Sequence, residues 1–278
     1  MLGPTPDPAG ARFRIVAELG RGAVGAVYRA VEAESGREVA LKVLLERPDP
    51  TRLARFAREG EVTAALDHPG IVRVHASGVL GGRPFLAYEL VPGGETLADA
   101  LATLDRSTRL RLLRDAAAAV GHAHARGVVH RDLKPSNVLI DRASGDVPRA
   151  RVADFGMARL TGDSQDRLTR TGAMVGTPHY MAPEQAAGAR DVGPPADVWA
   201  LGVMLYEALV DRLPFDGETL QELVARLCAA DPTPPRALDP ALAPDLEAVV
   251  LRALAREPGE RYPDAGALAA DLDAFLRG

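Results

Sequence analysis

The chain changes its hydrophobic period at the run "VPGGET", residues 91–96, and that change limits what it can fold into. Before it, "FRIVAEL", "AVYRAVEA" and "EVALKVLL", within residues 12–45, read as strands broken by glycines, with Ser35-Gly36 as a hairpin turn. From Thr51 the spacing of Leu53, Phe56, Val62 and Leu66 suits one amphipathic helix, which must end before the turn signal "DHPG". Two more strands follow, around 71–79 and 84–90, joined by Gly81-Gly82. Beyond the connector the helical period takes over, in "TRLRLLRDAAAAVGHAHARG" (108–127) and over 196–210, 218–229, 245–255 and 264–276. Residues 141–195 are dense in Gly, Pro, Asp and Thr and read mostly as loop. The expected fold is α+β: a small β-rich N-terminal lobe with one helix, a hinge, and a larger helical C-terminal lobe. A length of 278 residues is long for one core and agrees with two lobes.

Composition removes several classes of function. The net charge of -5 argues against a nucleic-acid binder, which shows a basic excess. The one cysteine, Cys228, cannot form an intramolecular disulfide, fits a reducing compartment, and reads as a small apolar residue on the helix "LQELVARLCAA". The start "MLGPTPDPAG" has neither a basic run nor an apolar one, so it is read as a disordered tail over 1–10 rather than a signal peptide. The most apolar stretch, "VWALGVMLYEALV" (198–210), falls short of the roughly 18 residues of a membrane span and carries Glu207. It reads as a buried core helix, and a cytoplasmic location is expected.

Four stretches carry chemistry. "LGRGAVGAVYRA" places Gly20, Gly22 and Gly25 between two strand-like runs. A dinucleotide fingerprint would open a helix there, whereas "AVYRAVEA" alternates like a strand. The remaining readings are an ordinary hairpin turn or a flap whose backbone N–H groups approach phosphates. In "VALK", Lys42 sits inside an apolar strand, where an unpaired ammonium is costly. Glu59 and Glu61 are its candidate partners, about 200° apart around a helix, so only one can face it. A structural salt bridge and a lysine shared with a phosphate both fit. "VVHRDLKPSNVLI" (128–140) holds Asp132, Lys134 and Asn137 in one short loop between apolar runs, and "VADFG" adds Asp154. Asn137 and Asp154 offer hard oxygen ligands suited to Mg²⁺. Asp132 is then left to accept a proton from an attacking hydroxyl, and Lys134 to neutralise charge on the group in transfer.

With these residues the chain resembles a eukaryotic-type serine/threonine protein kinase of the kind widespread in bacteria. The likeness covers residues 12–276 and runs in order through the glycine loop, "VALK", the helix glutamate, "HRDLKPSN", "DFG", "GTPHYMAPE" and "DVWALG". It implies a kinase domain over 11–278, with an N-lobe at 11–90 and the hinge and C-lobe at 91–278. Lys42 would hold the ATP α/β-phosphates, and Glu59 would orient it, since the family's usual spacing to "HP" falls there rather than at Glu61. Gly20, Gly22, Gly25, Val27, Ala40 and Leu139 would surround the nucleotide. Glu89-Leu90-Val91 would be the adenine hinge, with Tyr88 as gatekeeper. Asp132 would be the catalytic base beside Lys134, and Asn137 and Asp154 the Mg²⁺ ligands, with Mn²⁺ as a substitute. Glu184 would pair with Arg261, Asp197 would cap the catalytic loop backbone, and Trp199 would pack in the core. "DLKPSN" and Thr177 in "GTPHY" resemble the Ser/Thr branch. Protein substrates, a possible homodimer, no nucleic-acid partner and no membrane span within this chain go with it. The chain would act in the cytoplasm, alone or as the cytoplasmic part of a membrane-anchored kinase.

Two rivals remain. A pseudokinase scaffold predicts loss of Lys42, Asp132 or Asp154, and all three are present. A small-molecule phosphotransferase would lack "GTPHYMAPEQ". Regulation is expected in the loop 157–176, where Arg131, Arg159 and Arg55 would form a pocket for a phosphothreonine, Thr171 first and Thr169 second. His122 and His124, two apart on a helix, point to different faces and should not share a metal. "DRASGDVPRA" reads as a solvent-facing loop, and "CAADPTPPRALDPALAP" (228–244) as a proline-rich connector.

Overall fold

The computed structural model describes residues 12–22, 25–44, 60–143, 145, 147–155, 178–189 and 191–278. The chain divides into two compact units, Met1–Asp67 with Val72–Pro92, and His68–Ile71 with Gly93–Gly278.

The first unit is built on a five-stranded sheet in the order β1-β2-β3-β5-β4. Its strands are β1 (Phe13–Arg21), β2 (Gly25–Glu32), β3 (Glu38–Leu44), β4 (Val74–Leu80) and β5 (Arg83–Glu89), and all their pairings are antiparallel. Gly36, Gly81 and Gly82 turn the hairpins with positive φ, where a side chain would be strained. Alternation decides which residues go where. Val39, Leu41 and Val43 of β3 are buried with Phe13, Ala30, Phe85 and Ala87, and Phe13 meets Phe85 edge-on at 5.3 Å. The residues between them, Ala40 and Lys42, therefore belong to the other face. Of the helix expected from Thr51, residues 60–64 are described and are helical, with Thr63 buried and Glu61 exposed.

The second unit is helical around one two-stranded ladder. In chain order it has α1 (Leu97–Ala100), α2 (Arg106–His124), β6 (Val138–Asp141), β7 (Arg149–Val152), α3 (Pro183–Ala186) and α4 (Pro195–Val210). It continues with α5 (Leu220–Ala229), α6 (Pro235–Leu238), α7 (Pro244–Ala253) and α8 (Ala265–Arg277). Asp105 caps α2 by accepting from the Thr108 N–H at 3.0 Å. The most apolar helix, α4, is buried almost throughout and includes Trp199, which is 1% exposed and stacks on Phe215 at 5.6 Å. Where α2 crosses α8, a Cβ on Gly121 would lie 2.5 Å from the Gly266 nitrogen. Only a residue without a side chain allows that approach, and it fixes the end of α2 from which the next loop departs.

The four long helices beyond α2 fall within two residues of the expected bounds. Cys228 lies on α5 as expected, but exposed to solvent. One turn of helix, α6, interrupts the proline-rich connector, with Pro235 at its first position. The loop after β6 faces solvent at its described residues, with Val147 54% exposed. Among the described residues no helix is long and apolar enough to cross a membrane.

Candidate active site

The ladder of the second unit sets the geometry. Val138 pairs with Val152, and the Asn137 carbonyl accepts from the Ala153 N–H at 2.9 Å. Asn137, just before β6, and Asp154, just after β7, therefore leave the ladder at the same end. Residues Pro135–Asn137 form a single 3₁₀ turn, and the Asn137 side chain Nδ2 donates to the Asp132 carbonyl at 2.7 Å, closing the loop on itself. Lys134 Nζ stands 3.0 Å from Asp132 Oδ2, with both side chains partly exposed. The loop thus brings together a carboxylate, an ammonium and an amide. The amide commits its donor end to the backbone, which leaves the oxygen end for a cation.

A buried carboxylate holds this loop from below. Asp197 on α4 is 1% exposed and accepts from the backbone N–H groups of His130 at 2.7 Å and Arg131 at 2.8 Å. It also faces His124 Nε2 at 2.9 Å. His124 Nδ1 accepts from the Ala265 N–H at 3.2 Å, so the ring proton sits on Nε2 and points at Asp197. His130 is fixed by the same logic. Its Nδ1 accepts from the Asp132 N–H at 3.3 Å, leaving Nε2 to donate to the Ala153 carbonyl at 2.9 Å, and its ring packs on Phe155 at 4.8 Å. Burial alone would raise the Asp197 carboxyl. The hydrogen bond from His124 and the backbone donors outweigh it, and the group sits below the usual carboxylate range. Arg131 and Asp154 have φ of 67° and 64°, a left-handed conformation that non-glycine residues adopt at a cost of about 1–3 kcal/mol. Arg131 directly precedes Asp132, and the hydrogen bond from its N–H to Asp197 helps to keep it in this conformation.

Arg261 braces the region with all five of its N–H donors. Two meet Glu184 at 2.8 and 2.9 Å, and the others meet the carbonyls of Pro195, Ala255 and Arg256. Its guanidinium also lies 4.9 Å from the centre of the Trp199 ring. Nearby, Tyr180 donates to Glu207 at 2.7 Å; burial first, and then this acceptor, push its hydroxyl well above the ordinary tyrosine range.

In the first unit one face of the sheet, away from the apolar cluster, carries the expected nucleotide residues. Gly20 pairs with Val27, Val27 with Lys42, and Lys42 with Leu86, forming one row across four strands. Ala40, two residues along from Lys42, pairs with the buried Tyr88. The three glycines differ in kind. A Cβ on Gly25 would lie 2.7 Å from the Val43 carbonyl oxygen, so the β2–β3 pairing itself requires glycine there. At Gly20 and Gly22 a Cβ would meet no described atom within 4 Å, so the described packing makes no such demand. Val91 is buried and Glu89 half-buried at the end of this unit, while Leu139 is half-buried in β6 of the other.

Glu59, Arg55, Arg159, Thr169, Thr171 and Thr177 lie outside the described residues. Three contributors escaped the sequence reading as individuals: His130, His124 and Gln185. His130 stood in the quoted motif without a role. From sequence His124 offers only a metal-ligand reading, which its spacing from His122 argues against; its ring faces Asp197, whereas His122 meets the His68 ring at 4.8 Å. Among the described residues no group of three or more His, Cys, Asp or Glu is placed to hold a metal.

Residues 13–268 match the family described as "Protein kinase domain", and the chain belongs to that family. It is 39% identical to serine/threonine-protein kinase Pkn1 of Myxococcus xanthus over 266 residues, which is 95% of this chain and 38% of that protein. With serine/threonine-protein kinase PknB of Mycobacterium tuberculosis (strain H37Ra) it shares 38% identity over 278 residues, 96% of this chain and 43% of the relative. The chain therefore spans about two fifths of the length of these curated relatives. Among solved structures, the Mycobacterium tuberculosis PknI kinase domain superposes with a TM-score of 0.73 at 32% identity, covering 95% of this chain and 96% of that one.

Proposed function

We propose that this domain transfers the γ-phosphate of Mg-ATP to serine and threonine hydroxyls of protein substrates. The observation that carries the reading is the closed loop 132–137, in which Asn137 ties itself to the Asp132 backbone and Lys134 stands 3.0 Å from the Asp132 carboxylate. A carboxylate so placed can accept the proton of an attacking hydroxyl, and the neighbouring ammonium can neutralise charge on the phosphoryl oxygens. Because the transition state of phosphoryl transfer is loose, positioning and charge neutralisation are what the protein must supply. A loop locked by Asp197, His130 and Asn137 suits that demand.

Asn137 and Asp154 fit a Mg²⁺ ion, or Mn²⁺ in its place. Both are oxygen donors at one end of the ladder, and Mg²⁺ takes few protein ligands because phosphates and waters complete its shell. When bound, the ion would neutralise the phosphate charge. Lys42 would hold the α/β-phosphates, oriented by Glu59. Gly20 and Gly22 would let the backbone approach the phosphates, while Gly25, Val27, Ala40, Glu89, Val91 and Leu139 would contact the rest of the nucleotide. Glu184, Arg261 and Asp197 would be structural. The presence of Lys42, Asp132 and Asp154 supports an enzyme over a pseudokinase scaffold.

Regulation by phosphorylation at Thr171 or Thr169, read by Arg131, Arg159 and Arg55, belongs to the same proposal. Two copies phosphorylating each other would make a homodimer part of it, and a cytoplasmic setting supplies the ATP. The test is incubation with labelled ATP and Mg²⁺, followed by phosphosite mapping, beside an Asp132→Asn variant. The variant should lose about 10²–10⁴ in kcat while binding ATP nearly as before. Phosphate should map to Thr171 or Thr169. Near wild-type turnover by the variant would remove Asp132 from the chemistry.

A further inference from the structure

Side chains grip the backbone on either side of Arg131, and of these only Asp197 is expected from the sequence. Asp197 takes the Arg131 N–H at 2.8 Å. The Arg131 carbonyl, which belongs to the peptide unit leading directly into Asp132, accepts from Gln185 Nε2 at 2.8 Å. Gln185 lies on α3, 54 residues away in sequence, and is 7% exposed. Its other end is also engaged, because Oε1 accepts from the Ala182 N–H at 3.1 Å and so caps the helix that carries it. This leaves no freedom in how the amide is oriented. The flipped amide would aim NH₂ at an N–H and C=O at a C=O, two repulsive contacts in place of two hydrogen bonds.

From this we infer that Gln185 is a positioning residue for phosphoryl transfer. It acts through the peptide bond between Arg131 and Asp132, setting the direction in which the Asp132 carboxylate is presented. The need arises from the left-handed conformation of Arg131, with φ of 67°, which a non-glycine residue holds only when its surroundings impose it. The 131–132 peptide plane is held on its N–H side by a long contact, from the Asp132 N–H to His130 Nδ1 at 3.3 Å. The shorter hydrogen bond on its carbonyl side, from Gln185 at 2.8 Å, fixes the other edge of the same plane against rotation about the Arg131 Cα–C bond. The same amide ties α3 to the catalytic loop, and α3 also carries Glu184, the partner of Arg261. The segment following "GTPHYMAP" is in this way joined to the base by one side chain.

The site asks for a donor and an acceptor on one short planar group, which a glutamine supplies and a carboxylate does not. A protonated carboxyl does supply both, donating its O–H to the Arg131 carbonyl and accepting from the Ala182 N–H through its other oxygen. That difference gives the test. The inference rests on the kinase reading, and its experiment compares wild type with Gln185→Met and Gln185→Glu in labelled-ATP transfer to a protein substrate. Thermal unfolding and ATP titration are followed alongside.

Gln185→Met should lower kcat by about tenfold or more while KM for ATP stays within about twofold, because the Asp132 carboxylate is misaimed rather than lost. Gln185→Glu should be impaired at least as strongly at pH 8. Its kcat relative to wild type should then rise about threefold or more as pH falls to 6, since burial holds the introduced carboxyl in its protonated form to higher pH. The charged groups of the loop and its neighbours, namely Arg131, Asp132, Lys134, Asp197 and the Glu184–Arg261 pair, are common to all three proteins, as are the imidazoles of His124 and His130. Their own titration therefore cancels in the ratio, and the ratio for Gln185→Met should stay flat. A merely structural role would lower the folded fraction, which thermal unfolding reads at each pH, and once kcat is expressed per folded molecule both ratios would stay flat at the wild-type level. Wild-type kcat in Gln185→Met, or flat ratios in both variants, would overturn the role of Gln185 while leaving the kinase reading intact. Absence of transfer by the wild-type domain would sink both.

Discussion

Among the described residues the polar pairs of the two units differ in burial, although the second unit carries exposed pairs as well, such as Arg226–Glu222. In the first, Arg12–Glu32, Arg21–Glu18 and Arg29–Glu38 lie over the sheet surface, and in each the arginine is close to half exposed. In the second, the Arg261–Glu184 ion pair and the His124–Asp197 hydrogen bond each have at least one partner almost wholly buried, and both also bind backbone groups. An exposed pair gains little, because water screens the attraction and two long side chains must be ordered. A buried pair is costly to form, but it is also costly to break, so it can hold a backbone in a conformation that would not persist alone. The loop before β6 and the segment after β7, with left-handed residues at 131 and 154, are the places where such constraint is needed. The sheet, whose ladder hydrogen bonds already define its shape, has no comparable need.

The largest expected effect probes the buried side of that contrast. Arg261→Ala would strand the Glu184 carboxylate, together with three carbonyl groups, in a region where the arginine was 0% exposed. Stability should fall by about 3–5 kcal/mol, the range for removing one partner of a buried pair. Urea denaturation measures it. A loss near 1 kcal/mol would show that water reaches the site readily and that the brace is ornamental.

One pair in the first unit should break the pattern. Lys42 sits on the sheet face away from the apolar cluster, in one row with Gly20 and Val27. If Glu59 is its partner, that pair serves to aim an ammonium at phosphate rather than to add stability. Glu59→Gln should then lower kcat/KM by about ten- to a hundredfold with little change in unfolding midpoint. Glu61 is exposed in the described part of the helix, and Glu61→Gln should change kcat/KM by less than about twofold. The reverse ranking in a steady-state assay would place the helix register on Glu61.

What could be read from the sequence follows the same division. The strands were legible because alternation is local: Val39, Leu41 and Val43 against Ala40 and Lys42 state the two faces of β3 within five residues. The catalytic loop was legible because its chemistry is concentrated in 132–137. Helices α1, α3 and α6, four residues each, escaped because one turn is too short to show a period. The two irregularities of β1, between Ile15 and Ala17 and between Glu18 and Gly20, also left no trace, although they accompany exposed Val16 and Leu19. Gln185 and His124 escaped for a different reason. Their partners lie 54, 73 and 141 residues away, and a hydrogen bond of that span has no signature in the residues between. The polar side chains that matter most to the loop are thus the ones that local pattern reports least.

The smallest effect closes the comparison from the exposed side. Arg29 and Glu38 meet at 2.6 Å across the β2–β3 ladder, and their side chains are 45% and 46% exposed. The distance is shorter than either contact between Arg261 and Glu184, so proximity alone would rank this pair with the Arg261 brace. Exposure argues otherwise. Near the surface the Coulomb attraction is weakened by water, and the entropy lost in fixing both side chains offsets most of what remains. The pair also binds no backbone group that the ladder has left unsatisfied, because Arg29 and Ala40 are already paired in sheet register. Arg29→Ala should therefore lower stability by no more than about 0.5 kcal/mol in urea denaturation, and raising the salt concentration should shrink even that. A loss above about 2 kcal/mol, unchanged by salt, would mean that distance rather than burial governs these pairs, and the contrast between the two units would fall with it.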